Sequence, residues 1–164
     1  MNGVIDLSTI GARLGYKIEV SAGTRPTSDY TNIPNPKSTP EFNPEPNMGE
    51  TTSLNNEEYT TYIPLLKDLG GALAFGVGMS QKLLDDWNNM CDAVAAAEAD
   101  GKSAWFTVYH PRLDKAVFFT GTPSKIGMPA MEVNAVWDTT VYIAPTNEPD
   151  WYTAVKPLDN GASA

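Results

Sequence analysis

Few side chains in this sequence could carry catalysis. His110 is the only histidine and Cys91 the only cysteine. A Ser–His–Asp or Cys–His arrangement would have to use His110, yet that residue precedes Pro111 in a segment that predicts a surface hairpin turn. Cys91 falls on the apolar stripe of a predicted helix, which favours a small core residue. A zinc site needs about four Cys or His ligands, so we expect no metal centre of that kind.

Carboxylate pairs and glycine motifs are equally uninformative about chemistry. Asp85 and Asp86 are adjacent on the predicted helix, so their side chains point in different directions and do not form an acid–base dyad. The GxG at 76–78 lacks a third glycine, and the segment 121–127 has the wrong order for a P-loop. We predict no catalytic residue, cofactor or metal, and a chain that is not an enzyme. An oxygen-rich calcium site in the Glu-bearing segment 37–58 stays an open alternative, although no EF-hand spacing is present.

Length, composition and charge further limit the classes of function that this chain could have. The chain has 164 residues, 41% of them hydrophobic, which suits a single domain over 1–164. Its net charge is −9 and its sequence pI about 4.4. Such a surface repels phosphates, which disfavours sequence-specific nucleic-acid binding and docking on anionic membranes. No apolar run approaches the ~18 residues of a membrane span, so membrane insertion is not expected.

Periodicity predicts strands around one helix. Residues 16–22 alternate apolar and polar side chains, which indicates a half-buried strand, and 30–33 can begin its partner. Residues 1–15 are interpreted as a loose arm or a first edge strand. Residues 72–78 alternate again, with glycines on the second face that suggest a close approach of other atoms. Ser80 is a good N-cap for a helix over about 81–99 that Gly101 ends.

The second half of the chain predicts strands only. Residues 104–109 pair naturally with 115–120 across the turn at 110–114, and 130–144 is interpreted as a long strand or a bent pair. Residues 153–164 are expected to form a C-terminal tail. We therefore predict a mainly β fold, an antiparallel β-sandwich or partly open barrel with one flanking helix at about 81–99 and a long loop at about 34–58.

That long loop is the most unusual segment. Five of the 13 prolines lie between 34 and 46, and residues 37–58 hold one Lys against five Glu. A structureless loop of this length is uncommon inside a compact domain. It is either a tolerated disordered insertion or an arm that becomes ordered on a neighbouring subunit by strand addition.

The order of these features resembles the major tail (tail tube) proteins of long-tailed, siphovirus-like phages. The resemblance covers about residues 16–152 and is closest in Glu57-Glu-Tyr-Thr-Thr-Tyr-Ile-Pro-Leu-Leu-Lys-Asp-Leu-Gly70, followed by ALAFGVGM and the helix with Trp87. Leu66 departs from the pattern, because a loop-breaking Gly is usual in the family at that point.

The resemblance implies a structural subunit that self-assembles into stacked, hexameric rings forming a conduit for DNA ejection. Its implied partners are further copies of itself and the tape-measure, tail-tip and tail-terminator proteins, while DNA passes without specific binding. The implied location is the tail of the virion, assembled in the host cytoplasm. Two alternatives stay open: the tube of a related secretion, injection or gene-transfer particle, and a monomeric β-sandwich binding module with a protease-resistant 34–58 loop.

The resemblance also directs attention to the segment 41–59 for contacts between subunits. The predicted assembly residues are Glu41, Phe42, Glu45, Met48, Glu50, Thr51, Thr52, Leu54, Glu57, Glu58 and Tyr59.

Overall fold

The computed structural model describes residues 11–34, 36–42, 48–50, 62–64 and 71–158. This part of the chain contains ten strands and one helix. They are β1 (Arg13–Ile18), β2 (Thr31–Ile33), β3 (Pro36–Ser38), β4 (Met48–Glu50), β5 (Tyr62–Pro64), β6 (Leu73–Gly78), α1 (Gln81–Ala99), β7 (Ala104–Tyr109), β8 (Lys115–Pro123), β9 (Asp138–Pro145) and β10 (Asp150–Thr153).

Eight of the strands form one curled, antiparallel sheet. Seven follow the order β2-β1-β7-β8-β9-β6-β3, and β10 pairs with β8 off this path. β8 is long enough to be shared: its first half pairs with β10 and its last three residues pair with β9. β4 and β5 form a separate two-stranded sheet. The fold is thus mainly β, an open half-barrel with one flanking helix, which confirms the predicted fold class.

The helix begins and ends where its capping residues predict. Ser80 is extended and its Oγ accepts a hydrogen bond from the Leu83 amide at 3.1 Å, which satisfies one of the free amides of the first turn. Gly101, with φ of 78°, follows the last turn in the left-handed conformation that glycine adopts without strain. The first turn of the helix contains no acidic residue, since Asp85 and Asp86 lie in the second turn. Their carboxylates accept hydrogen bonds from Gln81 and Lys82.

The main core lies between the helix and one face of the sheet. Every side chain of the helix stripe is buried: Leu83, Trp87, Met90, Cys91, Val94 and Ala97. They pack over Phe75, Phe106 and Phe119, which are fully buried. Each such side chain contributes roughly 1.5–3 kcal/mol through its burial. The Trp87 indole N–H donates to the Ser124 carbonyl at 2.7 Å, so its polar atom is satisfied inside the core.

A smaller core covers part of the opposite face. Tyr30, Trp105, Ala116 and Phe118 are buried together there, with Tyr152 against them. The Arg25 guanidinium lies over the Tyr152 ring at 4.1 Å and over the Phe118 ring at 5.0 Å. Because the side chains of β7 and β8 alternate between the faces, these two strands supply both cores.

Glu19 joins the turn after β1 to the start of β7 beside this smaller core. Its Oε1 accepts from the amides of Gly23 at 3.1 Å and Ser103 at 2.8 Å, and its Oε2 accepts from the Trp105 indole at 2.9 Å. Glu19 is only 4% exposed. Desolvation raises the pKa of its carboxyl, but the three hydrogen bonds to the carboxylate outweigh desolvation and hold that pKa below its ordinary value.

Three predicted boundaries differ from the structure. β1 begins at Arg13 and lies between β2 and β7, so the end of the predicted 1–15 arm belongs to an interior strand. β1 also ends at Ile18, and Val20 is 75% exposed rather than half-buried in a longer strand. The C-terminal tail is anchored as far as Leu158, whose backbone bonds to Tyr30 and Asn32.

A further difference is the predicted strand at 130–144. Only Asp138–Pro145 is a strand, and Val141 and Ile143 are buried as expected. Residues 130–137 form no strand, because β6 ends at Gly78, opposite Asp138, and offers no further partner.

Candidate assembly surfaces

The first two predicted assembly residues sit at the end of the described 36–42 segment. Glu41 is exposed, whereas Phe42 is half-buried and packs against the main core of its own chain. Its ring centroid lies 5.5 Å from that of Phe119 and 6.4 Å from that of Phe75. Phe42 therefore attaches this segment to the body of the domain.

Met48 and Glu50 lie in β4, which pairs in register with Tyr62–Pro64 of β5. Among the strands that the structure describes, these two pair only with each other. The other predicted assembly residues lie outside the described ranges: Glu45, Thr51, Thr52, Leu54, Glu57, Glu58 and Tyr59. Leu66 lies outside them as well.

Part of the predicted 34–58 loop is a strand on the main sheet. β3 pairs with β6, and Ser38 stands directly over Gly76, where even one methyl group would collide with the Ser38 hydroxyl. This confirms the close approach that the glycines of 72–78 predicted. Lys37 adds an ion pair to Asp138 at 2.7 Å, so β3 is attached to its neighbour β6 and, across β6, to the start of β9.

The connection between β8 and β9, residues 124–137, exposes an unusual amount of apolar surface. Met128, Met131, Val133 and Val136 are 68–90% exposed, and Trp137 is 37% exposed. Asn134 adopts a left-handed φ of 61° in the turn at the tip. Residues 130–132 and 135–138 line an open pocket of about 330 Å³. We call this segment the apolar loop.

Both ends of the apolar loop are fixed to the rest of the domain. At its start, the Ser124 amide donates to Tyr142 at 3.0 Å, and Lys125 pairs with Asp92 of the helix at 2.9 Å. At its end, the Met79 amide donates to the Trp137 carbonyl at 2.9 Å. The apolar side chains are thus held outward on anchored backbone.

A second exposed apolar area lies on the β7-β8-β10 part of the sheet. Val108 pairs with Val117 in register, and Val117 pairs with Trp151 on its other side. Residues directly opposite each other share a face, so the three side chains form one row, which we call the Trp151 row. Val117 is half-buried and Val108 packs against the main core, so of the three only Trp151, 54% exposed at the outer strand, is largely open to solvent. The sequence predicted neither this row nor the apolar loop, because its pattern indicated a strand over 130–144 and no strand at Asp150–Thr153.

The candidate catalytic side chains are placed as their sequence context predicted. His110 follows β7 in the turn, where its Nδ1 accepts from the Arg112 amide at 3.1 Å. Cys91 is buried, and burial raises the pKa of its thiol to about 11, which disfavours a reactive thiolate. Among the described residues, no group of three or more His, Cys, Asp or Glu could hold a metal ion. No described helix is long and apolar enough to cross a membrane.

Comparisons with known proteins match this chain by fold and not by sequence. No family model matches it, and no curated protein matches either. Among solved structures, it is similar to a chain of the 6-fold symmetrised cryo-EM structure of the anti-feeding prophage (AFP) baseplate. The TM-score is 0.59 at 8% identity, over 93% of this chain and 98% of that chain. At this identity the likeness establishes a shared fold, over nearly the whole length of both chains.

Proposed function

We propose that this protein is a structural subunit of a phage-type tail, which assembles into rings that stack to form the tail tube. The observation that carries the proposal is the full-length fold likeness to a chain of a 6-fold symmetrised prophage baseplate. Fold alone does not determine function. The sequence resemblance to tail-tube proteins points to the same class of particle from a separate set of features.

The surface of the chain supports this proposal physically. A subunit that contacts copies of itself needs exposed apolar area, and the apolar loop and the Trp151 row provide it. A hairpin such as β4–β5 is marginal alone and gains stability on a neighbour. A net charge of −9 also suits a conduit for DNA, because acidic walls repel passing phosphates.

The related proposal is a single ring within a baseplate or injection particle. It is favoured by the identity of the fold neighbour, which is a baseplate chain. A tube protein must present complementary surfaces on both ends of its ring, whereas a ring that occurs once in a particle contacts different proteins above and below.

Electron microscopy of the purified protein at high concentration tests both. Rods with an axial hole support a tube, isolated six-fold rings support the baseplate alternative, and monomers contradict both. A monomer whose 34–58 segment resists protease would instead support a binding module.

Replacing residues 48–64 by a short Gly-Ser linker tests the assembly segment itself. We expect a folded domain, verified by tryptophan fluorescence and urea unfolding, that no longer forms rods or rings. The matched control replaces only residues 20–23, an exposed turn distant in sequence from the segment, with Gly and Ser. If the 48–64 variant assembles like the wild type, the assembly role of this segment is wrong.

A further inference from the structure

We propose that residues 154–158, which we call the strap, close the outer edge of β2 and so keep this strand from pairing with β2 of a second copy. β2 is the first strand along the path of the main sheet and, among the described strands, it pairs only with β1. Edge strands of this kind are the usual sites of unwanted pairing between chains. The strap acts within one chain, so this role is independent of whether the chain forms rings or tubes.

The outer edge of β2 offers its backbone at one residue. In an antiparallel pair, alternate residues direct both N–H and C=O toward the partner strand, and the residues between them direct both groups away from it. Asn32, opposite Gly15 of β1, is of the second kind, because its amide donates to the Leu158 carbonyl at 2.8 Å. The Leu158 amide donates to the Tyr30 carbonyl at 3.0 Å. The strap therefore occupies the one amide that β2 directs outward.

The strap is held on the sheet mainly through two residues. It crosses from β10 to β2 over the face that carries the smaller core, against which Ala154 and Val155 pack. The Arg13 guanidinium donates to the Pro157 carbonyl at 2.8 Å. The Pro157 ring lies over Gly15, where a side-chain methyl group would stand 2.5 Å from the ring. Pro157 is also the only buried residue of the strap, so a change at Arg13 or Pro157 should release it.

A buried hydroxyl beside the strap favours this release. Thr107 of β7 lies directly opposite Gly15, the residue that Pro157 covers. It is fully buried, and its Oγ1 has no hydrogen-bond partner among the described residues. A buried hydroxyl without a partner destabilises the state that buries it, which reduces the free energy needed to open this part of the structure.

A second copy of this chain fits the opened edge because the edge is complementary to itself. Two Asn32 residues placed opposite each other in an antiparallel pair would exchange both N–H···O bonds. Such a contact has two-fold symmetry and uses the same surface on both copies. The net charge of −9 opposes it at low ionic strength, so added salt should strengthen the association.

Hydrogen exchange at the Asn32 amide, followed by NMR on the labelled full-length chain, reports the state of the strap. Arg13→Met removes the guanidinium and Pro157→Ser removes the ring, so each should lower the protection of this amide by roughly tenfold, the effect of losing one hydrogen bond. Lys17→Met is the matched control, since Lys17 is the other cation on the same face of β1. It should leave the protection unchanged. Protected amides in the β7–β8 pairing verify that each variant is folded.

Sedimentation velocity in moderate salt tests the second copy. The double variant Arg13→Met/Pro157→Ser should dimerise at a concentration roughly tenfold below that of the wild type, because its edge is no longer occupied. Dimer formation should also restore protection of the Asn32 amide, since the second copy then accepts its hydrogen bond.

Each outcome decides the proposal. Loss of Asn32 protection in both single variants, together with dimers of the double variant that restore it, supports the strap. Unchanged protection in the single variants overturns it, and so does loss of protection without dimers, because the opened edge then does not pair. An equal loss in Lys17→Met overturns it as well. Absence of rods and rings of the wild type in the electron microscope would refute the proposed function and leave this result unaffected.

Discussion

Glu19 offers the sharpest test of how the turn after β1 is held to the start of β7. Glu19→Gln keeps the shape of the side chain but replaces one carboxylate oxygen by an NH₂ group. If the amide oxygen keeps the two backbone donors, Gly23 and Ser103, the NH₂ group faces the indole N–H of Trp105, donor against donor. The substitution then leaves a buried N–H without an acceptor.

The magnitude follows from that geometry. A hydrogen bond to a charged group contributes about 1.5–3 kcal/mol, and an unsatisfied buried donor costs a similar amount. Because these two effects describe one lost interaction, we expect the free energy of unfolding at pH 7 to fall by about 2–3 kcal/mol. For a chain of this size that corresponds to a decrease of roughly 5–10 °C in Tm. Urea unfolding followed by tryptophan fluorescence measures it.

The pH dependence has a defined sign. The pKa of Glu19 is lowered in the folded protein from its ordinary value of 4.5. Its contribution is therefore fully present above about pH 4.5 and is lost as the pH falls through the lower, folded value. The difference between wild type and Glu19→Gln should shrink in acid. Glu148→Gln, an exposed control, should change stability by less than about 0.5 kcal/mol at either pH.

A double-mutant cycle isolates the interaction with the indole. Trp105→Phe removes the N–H and keeps most of the ring. In that background Glu19→Gln should lower the free energy of unfolding clearly less than in the wild type, with a coupling energy on the order of 1–2 kcal/mol between the two substitutions. A loss below 0.5 kcal/mol at pH 7, or an effect that is equal in both backgrounds, would refute the reasoning. The hydrogen bond between Glu19 and the indole would then contribute little to the free energy of unfolding.

Three further expectations come from packing. Gly121→Ala should destabilise the fold by about 1–3 kcal/mol in urea unfolding, because the new methyl group would stand 2.6 Å from Ile143 Cγ2. Unchanged stability would show that β8 and β9 shift apart at little cost to accommodate the methyl group. Phe42→Ala should lower the free energy of unfolding by about 1–3 kcal/mol, less than for a fully buried Phe. It should also speed proteolysis of the adjoining segment, since contact with Phe119 is lost. Proteolysis at the wild-type rate would contradict the anchoring role. Cys91 should resist a thiol reagent at pH 8 in the native state and react quickly in urea; fast native labelling would contradict its burial.

Local patterns in the sequence determined the helix and most strands. The Ser80 cap, the stripe through Trp87 and the stop at Gly101 act within one or two turns, so their effect does not depend on the rest of the chain. The β7–β8 hairpin is similarly local, since its strands are joined by a short turn. The presence of a single histidine and a single cysteine could also be read directly from composition.

Tertiary structure decided the rest. Residues 130–137 have the alternation of a strand, yet pairing stops at Asp138 because β6 ends opposite it. β10 is four residues long and depends on a free stretch of the β8 edge, which no local pattern encodes. Phe42 lies in a segment without periodicity, but Phe75 and Phe119 form a site for its ring. In each case the deciding partner is distant in sequence, and a residue's own neighbours carry no information about such a partner.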